Sequence, residues 1–329
     1  MVAVPKFYLD DVINGASHTV HPAFIINGIV QEVIYISKYQ NIVEDGRAYS
    51  LPMKDPAVNV NFDQAWNYCK NKGTGWHLMT NAEWAAIALW CKKNGTLPKG
   101  NNNYGKDISE TTLPPITTAA NRQSDGKVNR ILTGSGRESW YHNGTFSGIA
   151  DLNGNVWEWN SGLRLVDGEI QILVNNNAAD WNNSVSSDSD FWKAIMQDGS
   201  LVEPGTEGTL KWDYINSPTA ETVNFHLTDT LEHKQTNDSV YGYKAFESLA
   251  VKSGVNVPEI LKTIALFPAD SNGYEGDVFM FRNIGERLLF SGSNWSSGTR
   301  AGMFGMNLNN SRAGSSTGIG FRCAYYVID

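Results

Sequence analysis

A stretch near the carboxyl end, residues 291–318, limits most strongly what this chain can fold into. Of its 28 residues, 19 are Ser, Gly, Asn or Thr, a composition that alone would be typical of a flexible linker. Apolar residues such as Trp295, Phe304 and Leu308 interrupt it, however, and it leads directly into an apolar run at residues 319–328. A linker joins two units, whereas this segment joins a domain to its own last strand. We therefore predict an ordered polar surface segment that its apolar residues hold against a core.

Two amphipathic helices are the clearest regular elements. Apolar side chains recur at helical spacing over residues 61–72, and Asn61 can cap the start. A second helix is predicted over residues 81–93, where Thr80 and Glu83 form a capping box. Because each helix has an apolar face, we expect both to cover a core.

Other segments have weaker patterns. Asn27-Gly28, between apolar runs at residues 23–26 and 32–36, predicts a β-hairpin. We also predict a strand at residues 169–174 and short helices at residues 190–196, at residues 241–251 and from Pro258 onward. Residues 95–148 are predicted to form an ordered loop that is anchored by Tyr104, Trp140, Tyr141 and Phe146.

Charge and hydropathy limit the classes of partner. The formal net charge of −8 and the pI near 5.3 argue against nucleic acid. No apolar run approaches the ~20 residues that a membrane-spanning helix needs, so we expect no membrane insertion. Residues 1–12 include Asp10 and Asp11 and lack an apolar core before a cleavage site, so we do not expect a signal peptide.

The three cysteines, Cys69, Cys91 and Cys323, are widely spaced. Because Cys69 and Cys91 lie on the apolar faces of predicted helices, we predict buried thiols rather than a disulfide or a metal site. The histidines show no metal-ligand spacing beyond the weak His18/His21 pair, so we predict no zinc site. No nucleophile-elbow motif supports a hydrolase.

Three motifs, in the order found in the family, resemble the formylglycine-generating-enzyme branch of the C-type-lectin fold. The first motif, at residues 62–69 with 78–84, is similar to the family's helix and the LPTEAEWE helix opening that follows it. The second, at residues 151–159, is similar to its GNVWEW core signature. The third, at residues 292–295 with 320–324, is similar to its GGSW…GFRCA ending. The resemblance implies a loop-rich α+β domain of the C-type-lectin-like type, with two short amphipathic helices and small antiparallel sheets.

The same resemblance predicts the domain organisation. We expect a single C-type-lectin-like domain over residues 1–329, with an insert at residues 162–285. A region at residues 291–324 would carry the ligand-binding surface and end in the last core strand.

The enzymatic members of this family place two cysteines shortly after the GGSW tryptophan, where they bind copper and activate oxygen. The corresponding stretch here, Trp295 to Gly302, contains no cysteine. Serine and glycine cannot supply the thiolate ligands that Cu(I) requires. We therefore predict that the chain is not an enzyme and binds no catalytic cofactor; a divergent enzyme of the same fold is the alternative.

Residues 295–324 resemble instead the variable region of proteins that are diversified by retroelements and are found on phage tail tips and some bacterial surfaces. In that family, adenine-specific mutagenesis rewrites asparagine codons between frame residues that stay constant. The frame here would comprise Asn294, Trp295, Gly298, Ala301, Gly302, Phe304, Leu308, Arg312 and residues 319–322. The exchangeable, ligand-contacting residues would be Ser293, Ser296, Ser297, Thr299, Arg300, Gly305, Asn307, Asn309, Asn310, Ala313, Gly314, Ser316, Thr317 and Gly318.

This pattern predicts a binding function, because small polar side chains can be exchanged on a fixed backbone without disturbing a core. The resemblance implies attachment to a protein or glycan receptor on a target cell. It places the protein on a virion, in a phage tail, with a cell surface as the alternative. Several copies in a homo-oligomer on the virion would add avidity.

The sequence leaves open whether the chain binds a structural calcium ion. Asp151 with the carbonyls of Gly154 and Val156 matches a calcium loop of the family, and these oxygens suit a hard cation. A turn without an ion fits the same residues equally well. A conventional calcium-dependent lectin is a further alternative, although the glutamate-proline-asparagine sugar motif of that group is absent.

Overall fold

Helices form where local capping signals favour them. The computed structural model of the chain describes residues 1–111, 115–219 and 224–328. Within these ranges, no helix is long and apolar enough to cross a membrane. The α-helices of the described residues are α1 (Leu9–Val12), α2 (Phe62–Lys70), α3 (Asn81–Asn94) and α4 (Glu259–Thr263).

Both predicted helices are confirmed, together with their caps. Asn61 and Gln64 exchange side-chain and main-chain hydrogen bonds at the start of α2. Thr80 and Glu83 do the same at the start of α3, which ends at Gly95 in the left-handed conformation. Residues 81–89 are all buried, so this part of α3 is buried around its whole circumference and not only on one apolar face. It contacts β8, α1 and α4.

Most of the chain consists of short strands joined by loops. The strands are β1 (Val2–Pro5), β2 (Ile25–Ile26), β3 (Ile29–Val30), β4 (Val33–Ile36), β5 (Ile42–Glu44), β6 (Arg47–Tyr49), β7 (Trp76–Leu78), β8 (Trp157–Val166), β9 (Glu169–Ile172), β10 (Lys193–Ile195), β11 (Leu201–Val202), β12 (Lys211–Tyr214), β13 (Phe225–Thr228), β14 (Gly242–Ala245), β15 (Val278–Phe281), β16 (Glu286–Ser291), β17 (Met306–Asn310), β18 (Ile319–Phe321) and β19 (Cys323–Tyr326).

Two sheets contain most of these strands, while β2 with β3 and β5 with β6 form separate two-stranded sheets. A four-stranded sheet has the order β1-β4-β19-β7, so the first and last strands of the chain lie in one sheet. The larger sheet has eleven strands in the described residues, with the path β11-β10-β9-β8-β16-β17-β15-β14 and with β12, β13 and β18 attached to it. Most pairs are antiparallel, whereas β15 with β17 and β18 with β8 are parallel. The predicted α+β class is confirmed.

The segment at residues 162–285 supplies β9 to β15 of the larger sheet. Its Trp212 and Phe279 belong to the same buried cluster as Trp84 and Leu289 from outside the segment. The insert thus shares one core with the rest of the described chain, and its expected first residue lies inside β8.

Two predicted helices are wrong. Residues 190–196 contain β10, and residues 241–251 contain β14 followed by a short 3-10 turn. An apolar pattern over so few residues fits one face of a helix or a buried strand equally well. These segments form strands because β10 pairs with β9 and β11, and β14 pairs with β15. By contrast, Pro258 does cap a helix, α4.

The predicted hairpin is right in its turn and wrong in its second strand. Asn27 and Gly28 both have positive φ and join β2 to β3. Residues 33–36, expected to complete the hairpin, pair with β1 and β19 instead. Among the expected loop anchors, Trp140 and Tyr141 are buried and Tyr104 is half-buried. Phe146 is 53% exposed, although its ring packs edge to face on the Tyr141 ring.

The prediction of buried thiols is right for Cys91 and wrong for Cys69. Cys91 is free and buried, whereas Cys69 forms a disulfide with Cys323 across a sequence separation of 254 residues. The pair forms because α2 packs on β7, and β7 lies beside β19 in the four-stranded sheet. Helical periodicity indicated that Cys69 is buried, but only this tertiary arrangement reveals its partner.

Candidate ligand-binding surface

The polar segment at residues 291–318 is held by strands at both ends and in its middle. β16 ends at Ser291, β17 lies between β16 and β15, and β18 pairs with β8. The segment is therefore ordered, as predicted, but residues 301–309 are buried, and its exposed residues lie only within 296–300 and 311–317.

Most of the expected frame residues are buried, while Asn294, Gly298 and Arg312 are half-buried. Trp295 is 8% exposed, Phe304 1% and Leu308 0%. The Trp295 amide donates to the Asn155 carbonyl at 3.3 Å, and its carbonyl accepts from the Tyr104 amide at 2.7 Å. These contacts fix the backbone of the segment on the GNVWEW loop and on the loop that precedes it.

The expected ligand-contacting residues fall into three groups by exposure. The exposed group comprises Ser296, Thr299, Arg300, Ala313, Ser316 and Thr317. Half-buried are Ser297, Asn310 and Gly314. Buried are Ser293, Gly305, Asn307, Asn309 and Gly318.

The buried group corrects the expectation that all these side chains face solvent. Asn307 lies on β17, which has a neighbouring strand on each side, and it is 6% exposed; Asn309, two residues further on, is 9% exposed. A Cβ atom on Gly305 would approach the Ser293 hydroxyl to 2.7 Å, and one on Gly318 would approach the Asn294 amide nitrogen to 2.9 Å. Substitution at these glycines would force neighbouring atoms to move, so the two positions belong to the frame.

The exposed residues occupy two adjoining stretches, residues 296–300 and 313–317. The stretches meet where Gly318 faces Asn294 and Trp295. The Arg130 guanidinium donates to the Thr317 carbonyl, and the Asn59 amide donates to the Ser316 carbonyl at 2.9 Å. The main chain of the second stretch is thus tied to the scaffold, and the Gly298 amide ties the first by donating to the Asn102 carbonyl at 2.8 Å. The side-chain hydrogen bonds of Ser296 and Ser316 stay within the segment: the Ser296 hydroxyl donates to Asn294 Oδ1, and the Ser316 hydroxyl accepts the Gly318 amide.

Arg312, expected as a frame residue, anchors the second stretch electrostatically. Its guanidinium contacts Glu286 on β16 and Asp63 on α2, and it also donates to the Val185 carbonyl. These hydrogen bonds to Glu286 and Asp63 raise the pKa of Arg312 against the opposing effect of burial. One side chain thereby connects the segment to three separate parts of the fold.

A buried carboxyl group lies against the turn at residues 302–305, which follows the first stretch. Asp277 accepts the Phe304 amide at 2.7 Å through one oxygen, and its other oxygen has no hydrogen-bond partner among the described residues. Complete burial, together with the nearby charges of Glu275 and Glu247, raises the pKa of Asp277 well above its usual range. Burial thus disfavours the charged form of this carboxyl group, which lies beneath the turn at residues 302–305.

The carbonyl oxygens of the predicted calcium loop do converge, but on a side-chain amide. Gln40 Nε2 lies 3.2 Å from the Asp151 carbonyl oxygen, 3.5 Å from that of Gly154 and 3.2 Å from that of Val156. The Asp151 carboxylate accepts the Gly134 amide at 2.7 Å, and burial raises the pKa of Asp151 to about 6. With Gln40 in this place, the residues do not fit a bound calcium ion.

Arg322 adds a positive charge to the same cluster. Its guanidinium forms two hydrogen bonds with the Glu158 carboxylate and also donates to the Ala150 carbonyl at 3.0 Å. Arg322 is 0% exposed and Glu158 1%, so the pair is an internal ion pair. Within the described residues, no group of three or more His, Cys, Asp or Glu side chains is arranged to hold a metal ion.

Sequence reasoning did not find Gln40 or Asp277. Gln40 lies in a segment without periodicity, more than 100 residues from the carbonyls that it contacts. Asp277 directly precedes β15 and has no motif around it. Arg322 was identified as a frame residue from the GFRCA ending, but its ion pair with Glu158 in the GNVWEW motif was not.

Comparison with known proteins supports the fold. Residues 14–168 match the FGE-sulfatase family, described as a sulfatase-modifying factor enzyme 1-like domain. This match confirms the predicted resemblance to the formylglycine-generating-enzyme family over that part of the chain, which has the α+β, C-type-lectin-like fold of that type.

Solved structures that are similar to the chain include the following two. One is PvdO from Pseudomonas aeruginosa, at 14% identity and a TM-score of 0.38, covering 99% of this chain and 94% of that chain. The other is Treponema denticola variable protein 1, at 12% identity and a TM-score of 0.36, covering 99% of this chain and 95% of that chain. Among curated proteins, no match is found.

Proposed function

We propose that this protein is a variable ligand-binding protein, with the exposed side chains of residues 296–317 as its binding surface. The observation that supports the proposal most strongly is that, within residues 291–318, some side chains are buried and hold the segment in place while others are exposed. The aromatic frame residues are buried, while six small or polar candidates point to solvent on a main chain that the scaffold fixes. A rigid main chain reduces the entropy that binding costs.

The distribution of cysteines supports a binding role over the family's oxidase chemistry. Two of the three cysteines are joined in the Cys69–Cys323 disulfide. The third, Cys91, is buried, and burial raises the pKa of its thiol to about 12. A protonated, enclosed thiol is a poor ligand for copper and a poor nucleophile. We infer that the fold is used here as a scaffold and not as an enzyme.

The partner that we propose is a protein or glycan receptor on a target cell. Small hydroxyl and amide side chains supply adaptable hydrogen bonds, and several copies of the chain on one particle would multiply weak single contacts. We propose a virion tail as the location, with a cell surface as the alternative. The Cys69–Cys323 disulfide suits both places, since disulfides persist on virions and cell surfaces.

Two display libraries test this proposal. The first randomises Ser296, Thr299, Arg300, Ala313, Ser316 and Thr317; the matched control library randomises the buried positions Ser293, Gly305, Asn307, Asn309 and Gly318. Both are displayed on yeast, stained for folded protein and selected against lysozyme. We expect the first library to stay folded and to yield binders, and the control library to lose folded display. Equal folding of the two libraries, or no binder from a well-folded first library, would refute the assignment of the surface.

A further inference from the structure

Four oxygen atoms surround the side-chain nitrogen of Gln40. Three are the carbonyl oxygens of Asp151, Gly154 and Val156, and the fourth is Glu158 Oε1, at 3.0 Å. An amide nitrogen carries only two protons, so it cannot give each of the four oxygens a full hydrogen bond. Convergence of several oxygens on one point is the usual arrangement around a hard cation.

The orientation of the Gln40 amide is fixed from its other side. Its oxygen accepts the Asn155 side-chain amide at 2.8 Å, and Asn155 Oδ1 accepts the Ile131 amide at 2.9 Å. Reversing the Gln40 amide would set its oxygen against four other oxygens. The nitrogen must therefore occupy the centre of the group.

Arg322 supplies the charge that a cation would otherwise bring. Its Nη2 atom lies 2.6 Å from Glu158 Oε1 and 3.4 Å from the Asp151 carbonyl oxygen, both of which also contact Gln40. A calcium ion at this place would have to take these two oxygens from the guanidinium and approach a buried positive charge. All three side chains, Gln40, Glu158 and Arg322, are at most 1% exposed.

We propose that Gln40 and Arg322 together take the place of a calcium ion in this chain, Gln40 as the central donor and Arg322 as the positive charge. The loop that they hold is the support of the polar segment. The Gly154 amide donates to the Gly292 carbonyl at 2.6 Å, and the Trp157 amide donates to the Gly318 carbonyl at 2.9 Å. The scaffold beneath the surface segment is thus organised by the protein alone and does not depend on calcium.

The test compares the parent protein with Gln40→Glu, in which a carboxylate replaces the central donor. Thermal unfolding is measured in chelator and in millimolar calcium, and terbium emission sensitised by the nearby Trp157 and Trp159 reports binding of a cation. The parent should unfold at the same temperature in both buffers and give no terbium signal. Gln40→Glu should unfold at a lower temperature in chelator, recover in calcium and bind terbium.

Gln64→Glu is the matched control, because the same chemical change lies on the exposed start of α2, where a carboxylate can still accept the Asn61 amide. It should behave like the parent. A calcium-dependent rise in the parent's unfolding temperature would overturn the proposal. So would a Gln40→Glu protein that is as stable as the parent in chelator, or one that calcium does not restore. If Gln40→Glu folds only with calcium, the proposal is supported, and the parent's response stays an independent test.

Discussion

The separation of frame from surface makes a quantitative prediction for Phe304→Ala. The Phe304 ring is 1% exposed and lies 4.7 Å from the Tyr274 ring, edge to face, and 5.3 Å from the Phe246 ring. At about 25 cal/mol per Å², the roughly 150–250 Å² that an aromatic side chain buries corresponds to roughly 4–6 kcal/mol of transfer free energy, part of which the alanine side chain retains. Large-to-small substitutions of buried Phe cost about the same, 3–5 kcal/mol.

The measurement is urea unfolding followed by tryptophan fluorescence, with Thr299→Ala as the control from the same segment. Thr299 is exposed, so its truncation should change the free energy of unfolding by no more than about 0.5 kcal/mol. A loss of less than about 1 kcal/mol for Phe304→Ala would mean that the ring is not part of a well-packed core. A Thr299→Ala protein as unstable as Phe304→Ala would show that the exposed stretch is structural, and the reasoning would fail.

Two further predictions concern the groups that hold the segment. Burial raises the pKa of Asp277 in the folded protein. The folded protein therefore keeps a proton that the unfolded chain releases above about pH 4. As the pH rises from there, the free energy of unfolding should fall by up to about 1.4 kcal/mol per pH unit. Asp277→Asn, which can still accept the Phe304 amide, should remove this decline in urea titrations at several pH values; parallel pH profiles for the two proteins would contradict it. Without reductant, the denatured chain should show one titratable thiol, Cys91, and reduction of Cys69–Cys323 should lower the free energy of unfolding by about 2–5 kcal/mol. Three thiols in the unreduced protein would rule the disulfide out.

Features that depend on neighbouring residues could be predicted from the sequence. The caps of α2 and α3 need only a side chain and an amide three residues away, so Asn61 and Thr80 mark the helix starts correctly. The turn at Asn27-Gly28 is local for the same reason. The motifs around residues 62–84, 151–159 and 292–324 indicated the fold, and the frame residues Trp295 and Phe304 are buried as their apolar character requires.

Features that depend on distant partners were decided by the tertiary structure. Residues 190–196 and 241–251 contain strands and not helices because they pair with β9 and β15 of the larger sheet. Asn307 and Asn309 are polar and lie next to exposed residues in the sequence, yet a position between two strands buries them. Cys69 and Cys323 are joined over 254 residues, and Gln40 meets its acceptors more than 100 residues along the chain. The sequence alone determined the local backbone and the type of fold, because those follow from nearby hydrogen bonds and apolar periodicity. Which polar groups meet, and which candidate side chains reach solvent, depends on long-range packing that no local pattern contains.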